Sequence, residues 1–533
     1  MNLNALEIAT FCLALVAPVL SADEPLPQPL SLEEAISRAL SRNYTIAIER
    51  DVFRASADEV RRLEGAYDIE FDWTSAYERQ TDPVNSLLSG APVGAVAPDL
   101  HSLEGSLSFS RLLPTGGTVS ILASGERDTT NNTFALLSPS YSTAIGIEVH
   151  QPLLRDRAID PARLRIRVAR SERERSLAAF KRTLADTLAG VETAYWGLTA
   201  ARREIDVRAA AVALAGQQLS ETKDRITAGT LPENEEAQPR AELERRKGEL
   251  LAAEEQAIRA ENALKALVLD SGDDPLWSAR IAPADAPETE DVSPPSAEAL
   301  LAADRNRPEV EEAKAALERR ETEHRAAEDG RKPRLDAFAS YTRRGLSGSA
   351  NPEAAPFPGA PATVPPSLDG AFGRSIGTIG DGLYPDARVG VTLSLPLTNR
   401  AAHAALAIGE SQERQARAEL ARVRQVVRVE VLDAVAGVET TAERIGAARA
   451  AREAAESQFQ SEEERFRVGL STNFLVLTRQ NDLSRARLDE IQALTDHRKA
   501  LTELAHASGR LLEDRHVVVE EEASVRAASG GSK

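Results

Sequence analysis

Residues 431–469 have a counterpart, aligned without a gap, at residues 191–229. Few letters are identical across the shift of 240 positions, but the spacing of apolar and small residues matches. In the later copy they fall at Leu420, Val423, Val427, Val431, Ala434, Val438, Thr441, Ile445, Ala448, Ala455, Phe459 and Phe466. The earlier copy has Phe180, Val191, Ala194, Leu198, Ala201, Ile205, Ala215, Leu219 and Ile226 in register. Such 3–4 spacing defines an amphipathic helix whose narrow, Ala-rich seam suits close neighbours. Each helix runs into an Arg-x-x-x-Gly break, ending at Gly229 and Gly469, and the register resumes beyond it, Leu243 with Leu483 and Leu264 with Leu504. A repeat of this length predicts a duplicated helical hairpin.

The chain has 533 residues, with 4% aromatic and 28% charged residues, a balance that favours long surface-rich helices. A net charge of −19 argues against nucleic acid, whose phosphates need a basic surface, although an acidic soluble protein explains the number equally well. Residues 1–22 read as a secretory leader, with an apolar stretch at 8–20 and Ser21-Ala22 behind it, but without a basic start. The one cysteine, Cys12, lies inside that stretch, so a processed chain has no thiol for disulfides, catalysis or metal. No other apolar run approaches the ~20 residues of a membrane helix. A membrane crossing would have to be made by strands.

In chain order, residues 30–65 read as helix, with Ser31 as cap and a stripe of Leu32, Ala35, Ile36, Ala39 and Leu40. The period then switches to two. Tyr67, Ile69, Phe71, Trp73 and Tyr77 alternate with Asp68, Glu70, Asp72 and Thr74, and similar strands are expected at 103–111, 119–123 and 141–149. At about ten residues each they match membrane-spanning strands, though a soluble sandwich uses the same pattern. Asp160-Pro161 predicts a helix start and an unbroken run to Gly229, about 100 Å long. Thr230 and Glu233 form a candidate capping box for the return helix, in which Pro239 predicts a kink. Residues 270–308 are a Pro/Asp-rich interruption with a short strand at 277–281, and helix resumes over 308–328. Strands follow at 335–342 and 388–397, separated by a long exposed loop at 345–385 whose Gly377–Gly382 run reads as linker. Asn399 is expected to cap the second long helix, and Ser471 or Thr472 its return partner, ending near Gly509.

LSLEEAISRAL at 30–40, QPLLRDR at 151–157, RPEVEEAKAAL at 307–317, PRLDAFASY at 333–341, LPLTNR at 395–400 and RFRVGLST at 465–472, taken in order, make the sequence resemble the TolC-like outer-membrane efflux proteins. The resemblance implies a mainly α fold with β: duplicated long helical hairpins forming a trimeric α-barrel tunnel, plus a shared transmembrane β-barrel with four strands per chain. It divides the chain into a leader (1–22), an N-terminal segment and first helix (23–65) and a first strand set (66–151). A first hairpin (152–269), an equatorial belt (270–308) and a helix (309–333) follow. A second strand pair with its loop (334–398), a second hairpin (399–510) and a tail (511–533) complete it. The first strand set holds four segments, so whether the hairpin at Leu113–Gly117 joins the barrel stays open.

The implied function is a passive conduit, a homotrimer set in outer-membrane lipid and joined to a periplasmic adaptor protein and an inner-membrane transporter. The positions matching the adaptor-docking tips are Ala228, Gly229 and Thr230 in the first hairpin and Val468, Gly469, Leu470 and Ser471 in the second. An ordinary helix C-cap explains each glycine alone; two at equivalent ends favour docking. The family's acidic pair at the tunnel mouth falls on Leu475 and Thr478, so that ring is missing, and Glu233, Glu235 and Glu236 are the candidates to replace it.

Seven scattered histidines give no metal-ligand spacing, no nucleotide or nucleophile motif occurs, and no cofactor is expected. The repeated acidic faces are explained by solvation and pairing with Arg. The chain reads as a non-enzyme, with a periplasmic or surface coiled-coil scaffold as the alternative to the channel.

Overall fold

A computed structural model describes residues 27–81, 83, 89–92, 94–287, 296–355 and 363–519. The leader and Cys12 lie outside them, as do the tail beyond 519 and part of the belt segment. Two compact units share the chain: Met1–Ile46, Ala185–Pro294 and Asp433–His506 in one, Ala47–Leu184, Pro295–Leu432 and Ala507–Lys533 in the other.

The duplicated hairpin is present. The long helices are α3 (Pro161–Thr227) and α8 (Arg400–Arg467), 67 and 68 residues, and their return partners are α4 (Ala237–Val268) and α9 (Asn473–Ala507). Among the described residues no helix is long and apolar enough to cross a membrane. In the first unit part of the predicted seam is buried, Val191, Leu198, Ala201 and Ala215 on α3 and Ala434, Val438 and Ile445 on α8, while Leu219, Ile226, Phe459 and Phe466 nearer the tips are half-buried. Some of the polar groups inside the seam are paired with one another. The Thr502 hydroxyl donates to the buried Glu192 carboxylate at 2.6 Å, and Arg498 stacks over Trp196 at 5.3 Å.

The first of the described residues are fastened into this unit. Strand β1 (Gln28–Leu30) pairs in parallel with β6 (Ile281–Pro283), and Tyr195 on α3 donates to the Leu30 carbonyl at 3.0 Å. Burial pushes the Tyr195 phenol well above its ordinary value. The Lys265 ammonium, buried on α4, donates to the carbonyls of Ala279 (2.7 Å) and Trp277 (3.1 Å) and pairs with Glu261 at 2.7 Å. Helix α1 (Leu32–Arg42) starts at Ser31, whose hydroxyl accepts from the Glu34 amide as expected. The helix expected over 30–65 is split: Asn43 ends α1, and its side chain accepts from the Thr45 amide where α2 (Tyr44–Glu64) begins.

The second unit carries one six-stranded antiparallel sheet. Its strands are β2 (Glu70–Thr81), β3 (Asp99–Leu112), β4 (Thr118–Thr130), β5 (Leu137–Pro152), β7 (Arg334–Ala350) and β8 (Tyr384–Ser394), in the order β2-β3-β4-β5-β7-β8. The Leu113–Gly117 hairpin therefore belongs to the sheet, which takes in all six segments expected from alternation, two more than the four per chain that the resemblance implied. The strands run to 17 residues, well past the alternating cores legible in sequence, because ladder pairing carries them on. Cross-strand partners share a face. One face aligns Trp73, Leu107, Ala123 and Ile145, and next to them Phe71, Phe109, Ile121, Ile147 and Tyr341. The other aligns Thr74, Ser106, Ser124, Ala144 and Arg344. Trp73 is 71% exposed and Val391 67%, so the apolar face has no cover from this chain there. Among the described residues β2 pairs only with β3 and β8 only with β7, leaving both edges open.

Helix α6 (Pro308–Gly330) packs in this unit, with Arg307 bonding Glu430 on α8 at 2.6 Å. A helix α5 (Ser296–Asn306) precedes it within the segment read as an interruption. Ring stacking of Phe53 and Phe180 at 6.4 Å joins α2 to α3. Asp160 caps α3 as expected, accepting from the amides of Ala162 (2.8 Å) and Arg163 (2.9 Å).

Several local expectations are corrected. The loop expected over 345–385 is shortened by both strands and contains a helix, α7 (Phe372–Asp381), so the Gly377–Gly382 run is helix and C-cap rather than linker. The short strand expected at 277–281 lies at 281–283. Asn399 precedes α8 with a positive φ of 36°, and its side chain donates to the Arg331 carbonyl instead of capping the helix. Pro239 falls in the first turn of α4, where a missing N–H is tolerated, not in its interior.

Candidate functional site

The two hairpin tips are built alike. At the first, the Gly229 amide donates to the Ile226 carbonyl and the Thr230 amide to the Arg225 carbonyl, both at 2.9 Å. At the second, the Gly469 amide donates to Phe466 (3.1 Å) and the Leu470 amide to Arg465 (2.8 Å). These paired bonds are the Schellman motif, which closes the last helical carbonyls and requires a left-handed residue. Gly229 and Gly469 supply it with φ of 70° and 80°. A Cβ at either would meet no atom within 4 Å, so the turns face open space in this chain.

The structure brings the two tips together. The Arg225 guanidinium lies 4.6 Å above the Phe466 ring, and the Gln218 amide donates to Asn473 at 2.6 Å. Further back, Arg245 on α4 reaches Asn481 on α9 at 3.4 Å. Burial works against the charge of Glu242, but Arg245 and Arg246 outweigh it and hold the carboxyl below its usual range. The repeat signals half of the Arg–Phe pairing, since Arg225 and Arg465 are equivalent, while Phe466 stands opposite Ile226.

Beyond the turns the tips diverge. Ala228 ends α3 through its amide to Asp224, and Thr230 donates its hydroxyl to the Arg225 carbonyl, so no capping box with Glu233 forms. Glu233, Glu235 and Glu236 occupy a 3-10 turn ahead of α4, with Glu236 3.5 Å from Lys223. At the second tip Val468 (70% exposed), Leu470 (79%) and Phe474 (61%) form an apolar rim. Sequence reasoning missed Phe474. Ser471 ties back to Glu462, leaving Thr472 as the cap that accepts from the Leu475 amide. Leu475 is exposed, and the Thr478 hydroxyl bonds the Phe474 carbonyl, so neither supplies negative charge. Among the described residues no cluster of His, Cys, Asp or Glu is arranged to hold a metal ion.

The chain combines a wide antiparallel sheet that has one apolar face with two hairpins whose long helices run about 100 Å. The chain matches the outer membrane efflux protein family over residues 110–268 and 300–510, and it belongs to that family. No curated protein matches it in sequence. Similar solved structures include a membrane protein from Pseudomonas aeruginosa (17% identity, TM-score 0.62, covering 90% of this chain and 92% of that one). The Campylobacter jejuni CmeC outer membrane channel (14%, 0.61, 90% and 86%) and the Vibrio cholerae outer membrane protein VceC (16%, 0.60, 90% and 96%) share the fold too. The family is one of outer-membrane channels, not enzymes, and the protein belongs to the outer membrane, reaching into the periplasm.

Proposed function

We propose that three copies of the chain pool their sheets into one transmembrane barrel and their hairpins into a periplasmic tunnel. The assembly is a passive conduit of a tripartite efflux or type I secretion system. The sheet carries this reading: it has an apolar and a polar face, yet both edges are open. Open edges are not viable in lipid, and six strands are too few to enclose a pore, so closure has to come from other copies.

In this reading the tips dock the periplasmic adaptor, which links the conduit to an inner-membrane transporter. Val468, Gly469, Leu470 and Ser471 offer an apolar turn, while Ala228, Gly229 and Thr230 offer a polar one. Glu233, Glu235 and Glu236 give the tunnel mouth negative charge. The transporter, not the conduit, selects the cargo. Planar bilayers containing the purified protein should show large, steady, voltage-insensitive conductance steps. A preparation that inserts as trimers but never conducts would contradict a conduit.

A further inference from the structure

Helix α7, in the connection between β7 and β8, is amphipathic in the wrong sense for a helix in water. A surface helix of a soluble protein turns apolar residues inward. Here Ser375 and Thr378 are the buried pair, while Phe372 is 44% exposed and Ile376 52%, and Leu383 just beyond the helix is 55% exposed. The buried face is joined by polar contacts. Thr378 donates its hydroxyl to the Ser375 carbonyl at 2.7 Å and accepts from the Leu346 amide at 3.2 Å, and Ser347 donates to the Ala371 carbonyl at 3.0 Å. The outward glycines Gly373, Gly377 and Gly380 meet nothing.

The face of the sheet that α7 covers follows from strand register. Gly105, Gly125, Thr143 and Gly345 are successive cross-strand partners and point to one side. That row is flanked by Trp73, Leu107, Ala123 and Ile145, the apolar face. A Cβ on Gly125 would lie 3.0 Å from the Phe372 ring, and one on Gly345 would lie 1.9 Å from the Ser375 carbonyl oxygen. Phe372 also meets Tyr141 edge-on at 6.2 Å. The helix therefore lies on the apolar side, seated where small residues let it approach. It sits over β4, β5 and β7, away from the β2 edge where a second copy would pair.

Its level can be reckoned along β7. Gly345 is eleven residues from Arg334, the strand end nearer the long helices, or about 37 Å of strand. At the tilt of membrane strands that is roughly 26–30 Å along the membrane normal, against an apolar band of about 25 Å. Arg343 lies next to Gly345 on the same face and near the C-terminal end of α7, 3.9 Å from where a Gly382 Cβ would be. Among the described residues it contacts the Tyr341 ring and hydroxyl but no carboxylate.

From this geometry we propose that α7 lies in the outer boundary of the bilayer on the lipid side of the sheet. It turns Ile376, Leu383 and the exposed edge of Phe372 toward acyl chains and leaves Arg343 to meet a lipid phosphate. Inward polar contacts and outward apolar side chains are the arrangement a helix adopts when hydrocarbon replaces water as its solvent. The inference rests on the sheet being the membrane wall, and the test separates the two.

Spin labels are placed on Ile376→Cys, and separately on Ile147→Cys at mid-sheet on the same face, in the full-length protein reconstituted into phosphatidylethanolamine–phosphatidylglycerol vesicles. Collisions with oxygen, which partitions into lipid, are compared with those of a water-soluble nickel chelate. Both sites should favour oxygen, with the label at residue 376 nearer the headgroups. Nickel access at 376 with oxygen access at 147 overturns the placement of α7 and leaves the membrane wall intact. Nickel access at both removes the wall and the proposal with it. Shielding of 376 from both reagents means that another copy covers α7, and also overturns the proposal. A label on Gly377→Cys, which faces open space, repeats the measurement should Ile376→Cys fail to fold.

Discussion

The first and second hairpin tips close with the same hydrogen bonds and then present different chemistry. The first follows its turn with Glu233, Glu235 and Glu236; the second follows with Thr472 as cap and a rim of Val468, Leu470 and Phe474. A duplicated turn is thus held by backbone geometry while its surroundings are free to change. If the tips dock an adaptor as proposed, that divergence gives most of the apolar contact to the second tip and most of the charge at the mouth to the first.

The largest test of the distinction is bulk at the two glycines. Neither has neighbours, so Gly469→Trp costs about 1–2 kcal/mol of backbone strain and should leave trimers in the membrane. Export in a drug-susceptibility or secretion assay should nevertheless be abolished. Gly229→Trp should lower export only partly, and equal effects would erase the division of labour. Next comes Leu470→Asp, which should weaken adaptor binding by about tenfold or more, an apolar contact of about 1.4 kcal/mol, by surface plasmon resonance. Binding unaffected by that charge would place the contact elsewhere.

Smaller effects probe what joins the tips. Arg225→Ala removes a cation–π contact of about 0.5–2 kcal/mol and should loosen the tips, seen as faster amide hydrogen exchange at Gly469 and Leu470. Unaltered exchange would mean that the tips are held independently. Glu242 offers a pH test, and Asp482 is its repeat equivalent. The Glu242 carboxyl is depressed in the folded state, so its stabilisation is present above the ordinary Glu value and is lost as pH falls through the lowered one. Glu242→Gln should therefore lower Tm at pH 7 and converge with the parent only as pH falls through that lowered value. Asp482→Asn should change little, because Ala486 replaces the second arginine and only Arg479 is paired, at 3.2 Å. The smallest effect is expected from Glu233→Gln, Glu235→Gln and Glu236→Gln combined, a modest fall in cation preference of single-channel currents.

What the sequence disclosed, and what it hid, follows from the range of the forces involved. The repeat, the Asp160 cap, the Ser31 cap and both glycine turns are local, and each is written in a few neighbouring residues. The six-stranded order was hidden because β5 and β7 are almost 200 positions apart and only pairing joins them. The β1–β6 pair is three residues on each side, too short for any period to show. Helix α7 was read as linker because Gly373, Gly377, Gly380 and Gly382 argue against helix by propensity; packing against Gly345 overrides them. The missing acid pair at Leu475 and Thr478 was legible, since it needed only residue identity. The nearness of Arg225 to Phe466 was not, since it depends on how two distant helices pack.

Pooling of open sheet edges between copies is the claim on which the rest depends. It is tested by placing cysteines at Ser75 on β2 and Val391 on β8 and adding a short bismaleimide to the membrane-inserted protein. Covalent trimers on a denaturing gel, absent from either single variant, are the predicted result. Cross-linking confined within single chains would show that each sheet closes on itself, and would contradict the account.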